Sequence, residues 1–199
     1  MSTSELVQPI LVHNTAYGAL EDMLSDSAIA SVIASSRDPS FHDWYVDGKG
    51  QRKTARRIKT ISKFESALNA IGDPIVVNHA VAGPISTYGE FAKPISKAQV
   101  SGFKQFDIVR SEEHKAPAFG TVLINDSLQM SPGKLIAQVA HALTIYYAET
   151  GFVPTIGDRI DIDFVADYYI SRCDFIVVDN GHTEIPPGSV TCGFLPRDI

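Results

Sequence analysis

Residues 131–142, "SPGKLIAQVAHA", place a lysine where a helix gains nothing from one. Ser131 can accept a hydrogen bond from the first turn of a helix, and Pro132 is pre-set for the first helical position, so Lys134 falls in the first turn. A cation beside the positive end of the helix dipole costs about 0.3–1 kcal/mol. It becomes useful if it faces negative charge, either a phosphate or the oxyanion that develops when an acyl bond is attacked. Gln138 and His141 follow at i+4 and i+7, so the three side chains form one stripe. Leu135, Val139 and Ala142 form an apolar stripe beside it. Because the charge alone is unfavourable at this place, replacing Lys134 by Met is expected to leave folding unharmed.

A second stretch, "DNGHTEIPPGSVT" (179–191), begins on Asp179 directly after the apolar run "FIVV". The C-terminal end of a buried strand is where open α/β sheets carry ligand-binding groups. Asn180-Gly181 and Pro187-Gly188 read as turns, while Thr183 and Thr191 supply hydroxyls near the same edge. A carboxylate so placed can orient or deprotonate a water. An Asp-Asn-Gly triplet is by itself more often a structural turn, so the weight rests on the two stretches together.

The elements that must position these residues alternate between strand and helix, which implies an α/β layered fold around a mixed sheet. "GKLIAQVAHALTIYYAE" reads as a helix of about four turns. "RIDIDFV" reads as an alternating strand, "ADYYISRC" as a short helix or loop, and "FIVV" and "SVTCGF" as strands. Upstream, "AIASVIASS" continues a helix and "KTARRIKTI" could be a strand. "SKFESALNAIG" reads as a short helix closed by Gly72. Three segment pairs recur in the same order: "PILVHNTAYGALEDML" with "TVLINDSLQMSPGKLI", "GDPIVVNHAV" with "CDFIVVDNGH", and "ISKAQVSGF" with "IPPGSVTCGF". Their spacing falls from 112 (Leu11 to Leu123) through 101 (Asp73 to Asp174) to 90 (Ile95 to Ile185). An internal duplication with unequal loops gives that pattern, and so does chance likeness between two α/β segments. The corresponding division is a tail at 1–9, a divergent and non-catalytic α/β repeat at 10–110, a linker at 111–117 and the motif-bearing domain at 118–199.

Of 199 residues, 44% are apolar and 20% charged, values of a soluble globular protein. With no apolar run long enough to span a membrane and no secretory leader, a cytoplasmic chain without a membrane partner is expected. Cys173 and Cys192 lack metal or redox spacing and read as reduced, buried thiols. The six histidines are too scattered for a zinc site, so no metal is expected. The net charge of −6 arises wholly in the second half: residues 1–115 carry 13 basic and 13 acidic side chains, and 116–199 carry 4 and 10. The run from Lys49 to Lys63 has seven basic residues and no acidic one. Such a run is usually a solvated face; the sharper reading makes Arg52, Lys53, Arg56 and Arg57 a contact for a polyanion backbone.

"MSPGKLIAQVAHA" followed by "VVDNGHTEIPPGSVT" resembles the type 2 peptidyl-tRNA hydrolases of archaea and eukaryotes. The likeness covers about residues 118–199, and 10–106 only through the faint repeat. It implies α/β/α layers around a four-stranded mixed sheet and a homodimer, so that a fused second copy would make a pseudo-dimer within one chain, with further pairing of chains left open. It also implies water-driven cleavage of the ester of peptidyl- or aminoacyl-tRNA without metal or organic cofactor. Catalytic roles would fall on Lys134 (oxyanion), Asp179 (water), Gln138, Thr183 and Thr191 (ester and water) and His141. The chain departs from the family pattern at Gln129, where a basic residue is usual, at Ser189, where threonine is common, and in a short 142–178 segment. The first repeat lacks the Lys-Gln-His stripe, and Asn78-His79 stands where the second has Asp179-Asn180. The acidity of the motif-bearing half suits a cationic or neutral partner better than RNA, whose binding draws on Lys and Arg contacts to phosphate. Three readings follow: a tRNA-ester hydrolase, a re-purposed enzyme for a small amide, ester or imine, and a non-catalytic binding module.

Overall fold

The computed structural model describes residues 6–46, 52–58, 60–100, 118–179 and 185–197. The expected linker 111–117 and Thr183 lie outside the described residues, as do the side chains of Arg52 and Arg57. The chain is mixed α/β. Its elements run β1 (Leu6–His13), α1 (Leu20–Arg37), α2 (Phe41–Val46), β2 (Arg52–Ile58), α3 (Ile61–Leu68), β3 (Ile75–Val77), β4 (Ala80–Ala82), β5 (Ser86–Thr87), α4 (Lys93–Ser96) and β6 (Gln99–Val100). They continue as β7 (Gly120–Asn125), α5 (Pro132–Thr150), β8 (Ile160–Val165), α6 (Asp167–Ile170), β9 (Phe175–Asp179) and β10 (Ser189–Pro196). β1 takes in Leu6 to Pro9, residues read from the sequence as tail.

Among the described residues the strands form two mixed sheets. One has the order β3-β4-β1-β2-β6, with the short β5 also on β1, and the other the order β9-β10-β7-β8. In the first, β1 and β2 are parallel while β4 runs antiparallel to both β1 and β3. In the second, β7 and β8 are parallel while β10 runs antiparallel to both β7 and β9. Strand order and direction are thus the same in β3-β4-β1-β2 and β9-β10-β7-β8. One segment match does not survive in space: "ISKAQVSGF" leads into β6, which pairs with β2 at the far edge, whereas β4 takes the place that β10 holds. α3 also ends four residues before Gly72, on Leu68 with Asn69 as its C-cap, and the left-handed backbone nearby belongs to Asp73 at φ 43°.

Two long helices fill the space between the sheets. α1 packs on β1, β3 and β4 and reaches across to β8; α5 packs on β9 and β10 and reaches across to β2. The helices also pack on each other, and α1 presents small buried side chains (Ser27, Ala28, Ala30, Ser31, Ala34, Ser35) that permit close approach. One apolar cluster therefore joins both halves, with Ile10, Leu24 and Val32 beside Val122, Val139 and Leu143. The backbone N–H of Ile160, at the start of β8, donates to Ser25 Oγ of α1 at 3.0 Å inside this layer. The outer face of the first sheet is covered by a second cluster, Leu11, Ile58, Phe64, Ala67, Ile71, Val81 and Ile95, so β1 is buried on both sides and its residues 9–12 read as a continuous apolar run. No helix among the described residues is long and apolar enough to cross a membrane.

Because α5 covers β2 and α1 covers β8, separating the halves would bare both helices. Residues 118–199 produced alone should give a broad, non-cooperative thermal transition by near-UV circular dichroism, and mixing with residues 1–117 should restore a sharp one. A sharp melt of the isolated fragment would show that the shared layer is dispensable.

Candidate active site

The helix start is built as its residue types require. Ser131 Oγ accepts from the backbone N–H of Lys134 at 3.3 Å, Pro132 opens the helix, and Gly151 ends it at φ 74° with its N–H on the Tyr147 carbonyl at 2.8 Å. The turn from β7 into α5 is fixed by Asn125, buried, whose Oδ1 accepts from the N–H of Ser127 at 3.1 Å and from its hydroxyl at 2.6 Å. Asn125 Nδ2 donates to the Val190 carbonyl at 2.9 Å, tying this turn to β10.

Asp179 ends β9 and is 8% exposed. Its Oδ2 accepts from Lys134 Nζ and from Gln138 Nε2, the latter at 2.7 Å. Gln138 is buried too, and its Oε1 faces the hydroxyl of Thr191 at 3.1 Å, which orients the amide with its NH₂ toward the carboxylate. The Thr191 hydroxyl lies equally close to the Val177 carbonyl, at 3.1 Å. Register against β9 slips between Val190 and Cys192, so Thr191 is the extra residue of a β-bulge. The Gln138 carbonyl accepts from Cys192 Sγ at 3.4 Å. Burial pushes that thiol up to about 12, and Cys173 is raised for the same reason; both are free and act as packing.

Lys134, Gln138, Asp179 and Thr191 thus meet at one point. Gln138 bonds Asp179 directly and the Thr191 hydroxyl bonds Gln138, so the two brace the carboxylate. The expectation that Lys134 can be neutralised without loss also changes. Its side chain is 11% exposed and ion-paired with a buried carboxylate, and removing one member of such a pair leaves the other charge uncompensated. His141 lies one turn beyond Gln138 on the same stripe. Burial, with the charges of Lys53 and Lys134 adding to it and that of Asp179 opposing, lowers its pKa to about 4, so it is a neutral imidazole at pH 7.

The basic run does not present Lys53 and Arg56 as a polyanion-binding face. β2 is central, its two faces are both covered, and alternation sends these side chains into opposite interiors. Lys53 is 9% exposed; its Nζ donates to Gln8 Oε1 at 2.8 Å and lies 5.1 Å from the Trp44 ring centre. Gln8 in turn donates to the Ser31 carbonyl and to Ser35 Oγ, both at 3.1 Å, and accepts from Ser31 Oγ at 2.6 Å. Arg56 is 1% exposed, flanked by Tyr88 and Phe91, and donates to the Ala98 carbonyl at 3.3 Å. Sequence reasoning missed Asn125, Gln8 and the bulge at Thr191; only an Asn at the end of an apolar strand signalled a turn device. Among the described residues no group of three His, Cys, Asp or Glu side chains gathers as a metal site. No family model, curated protein or solved structure matches the chain.

Burial lowers the pKa of Lys53 from 10.5 to about 7. The folded chain therefore binds fewer protons than the unfolded chain across that interval, and this lysine's penalty is complete below pH 7 and fades as pH rises toward 10.5. Lys53→Met should raise the melting temperature at pH 7 by about 2–4 °C per kcal/mol recovered, and by less at pH 10. An equal shift at both values would show that the lysine is not titrating as its burial requires.

Proposed function

We propose that the chain is an acyl hydrolase in which Asp179 takes a proton from the attacking water and Lys134 stabilises the oxyanion. The observation that carries the reading is the convergence of an ammonium and an amide on the one buried carboxylate oxygen, Asp179 Oδ2, at the mouth of α5. A carboxylate held at one oxygen by fixed donors keeps its orientation while its other oxygen serves as base. Gln138 and Thr191 act as positioning residues, and neutral His141 contributes packing and polarity. The likeness of the two stretches to type 2 peptidyl-tRNA hydrolases, together with the matching strand order of the two sheets, supports a tandem, pseudo-dimeric version of that fold with its site in the second half alone.

A small acyl ester or amide is the better substrate class. Lys53 and Arg56 are interior, so half of the side chains expected to grip an RNA backbone are not at the surface. Peptidyl- or aminoacyl-tRNA is the second reading, favoured by the motif likeness. The two separate by salt, since rates on a polyanion fall steeply between low and moderate ionic strength and rates on a neutral ester do not.

Asp179→Asn keeps the shape and an acceptor for Gln138 but removes the base. It should lower kcat by roughly 10²-fold or more, with KM changed much less, on whichever substrate of a panel of small esters, amides and aminoacyl-tRNAs the wild type cleaves. Wild-type rates in this variant on every such substrate would remove Asp179 from the chemistry.

A further inference from the structure

We propose that the first half carries a second ligand site, built on Asp26, which binds a primary ammonium group. This does not rest on the hydrolase reading. The strand sets β3-β4-β1-β2 and β9-β10-β7-β8 share order and direction, and α1 and α5 begin 112 residues apart, the spacing that also relates Leu11 to Leu123. Carried along the helices, that spacing sets Asp26 opposite Gln138 and Asp22 opposite Lys134; the spacing of 101 that relates β3 to β9 sets Asn78 opposite Asp179.

The same device is present at both places with its residue types exchanged. In the second half the amide of a helix residue donates to a strand-end carboxylate (Gln138 Nε2 to Asp179 Oδ2, 2.7 Å). In the first half the amide of a strand-end residue donates to a helix carboxylate (Asn78 Nδ2 to Asp26 Oδ2, 3.1 Å). Tyr17 adds its hydroxyl to the same oxygen at 2.9 Å. The difference lies in the cation. Asp179 holds the ammonium of Lys134, whereas the position of Lys134 is taken in the first half by a second acid, Asp22. No lysine or arginine among the described residues bonds to Asp26, and its Oδ1 accepts from no described residue. Asp26 is 9% exposed, whereas Asp22, Asn78 and His79, which act on its carboxyl, are exposed.

An ammonium ligand supplies what the second half supplies from within: donors for a buried carboxylate and a charge to offset it. Rings stand beside it, with His79 edge-on to Tyr17 at 5.7 Å and His13 at 6.4 Å from His79, and Asp22 adds attraction for a cation. Burial raises the pKa of Asp26; Asn78, Tyr17 and His79 oppose the rise and Asp22 adds to it, so a bound cation would restore its charge.

The test is an NMR titration of the full chain with methylammonium chloride against sodium chloride at matched ionic strength, following the Tyr17 and His79 ring signals. A saturable shift is expected, weakened about tenfold or more by Asp26→Asn and when tetramethylammonium, which has no N–H, replaces methylammonium. Asp22→Asn, a surface change that leaves the fold intact, should weaken it several-fold and carries the test if Asp26→Asn fails to fold. No saturable response, an equal response in Asp26→Asn or Asp22→Asn, or an equal response to tetramethylammonium would overturn the site.

Discussion

A carboxylate in a low-dielectric interior must be paired or it will not stay charged, and Asp179 answers that constraint with an ammonium and an amide on the same oxygen. Much of the second half follows from it. The amide must point its NH₂ one way, so its carbonyl needs a donor, and a bulge in β10 supplies the Thr191 hydroxyl. The ammonium must start from the first turn of α5, so the turn before it is locked by Asn125 to its own loop and to β10. The unfavourable place of Lys134 on the helix dipole is offset by a partner that the sequence sets 45 residues away.

The same constraint appears at the seam between the halves. α1 and α5 form a common central layer, each covering strands of the other half, and Ser25 of α1 accepts from the backbone N–H of Ile160 within it. Gln8 satisfies two serines of α1 and the ammonium of Lys53, a lysine held by neutral partners that titrates far below its ordinary range. The first half is thus part of the packing that keeps α5, and hence Lys134 and Gln138, in place. It also keeps a carboxylate–amide pair of its own in Asp26 and Asn78.

The sequence made some of this legible. Ser131, Pro132 and Gly151 mark the ends of α5 because caps are local chemistry, and the apolar runs of β7 and β9 stand out for the same reason. Lys134 stood out because it opens a helix and Asp179 because it closes a strand, and the likeness of the two stretches to type 2 peptidyl-tRNA hydrolases brought them together. What misled was burial. A basic run reads as a surface, but β2 is covered on both faces, and only the placement of α5 on one side and of α3 with Tyr88 and Phe91 on the other decides that Lys53 and Arg56 turn inward. The third repeat match failed because a two-residue strand, β6, carries too little pattern to say which edge it joins. The bulge at Thr191 depends on register against β9, a long-range property that residue types do not encode locally.

The central claim is that Lys134 and Asp179 stabilise each other as a buried ion pair braced by Gln138. The most direct test is a double-mutant cycle on unfolding free energy, measured by denaturant titration of wild type, Lys134→Met, Asp179→Asn and the double variant. The account predicts that Lys134→Met destabilises more when Asp179 is present than when it is Asn, with a coupling of about 1–3 kcal/mol. Additivity within about 0.5 kcal/mol would contradict it, because the two charges would then be contributing independently of one another.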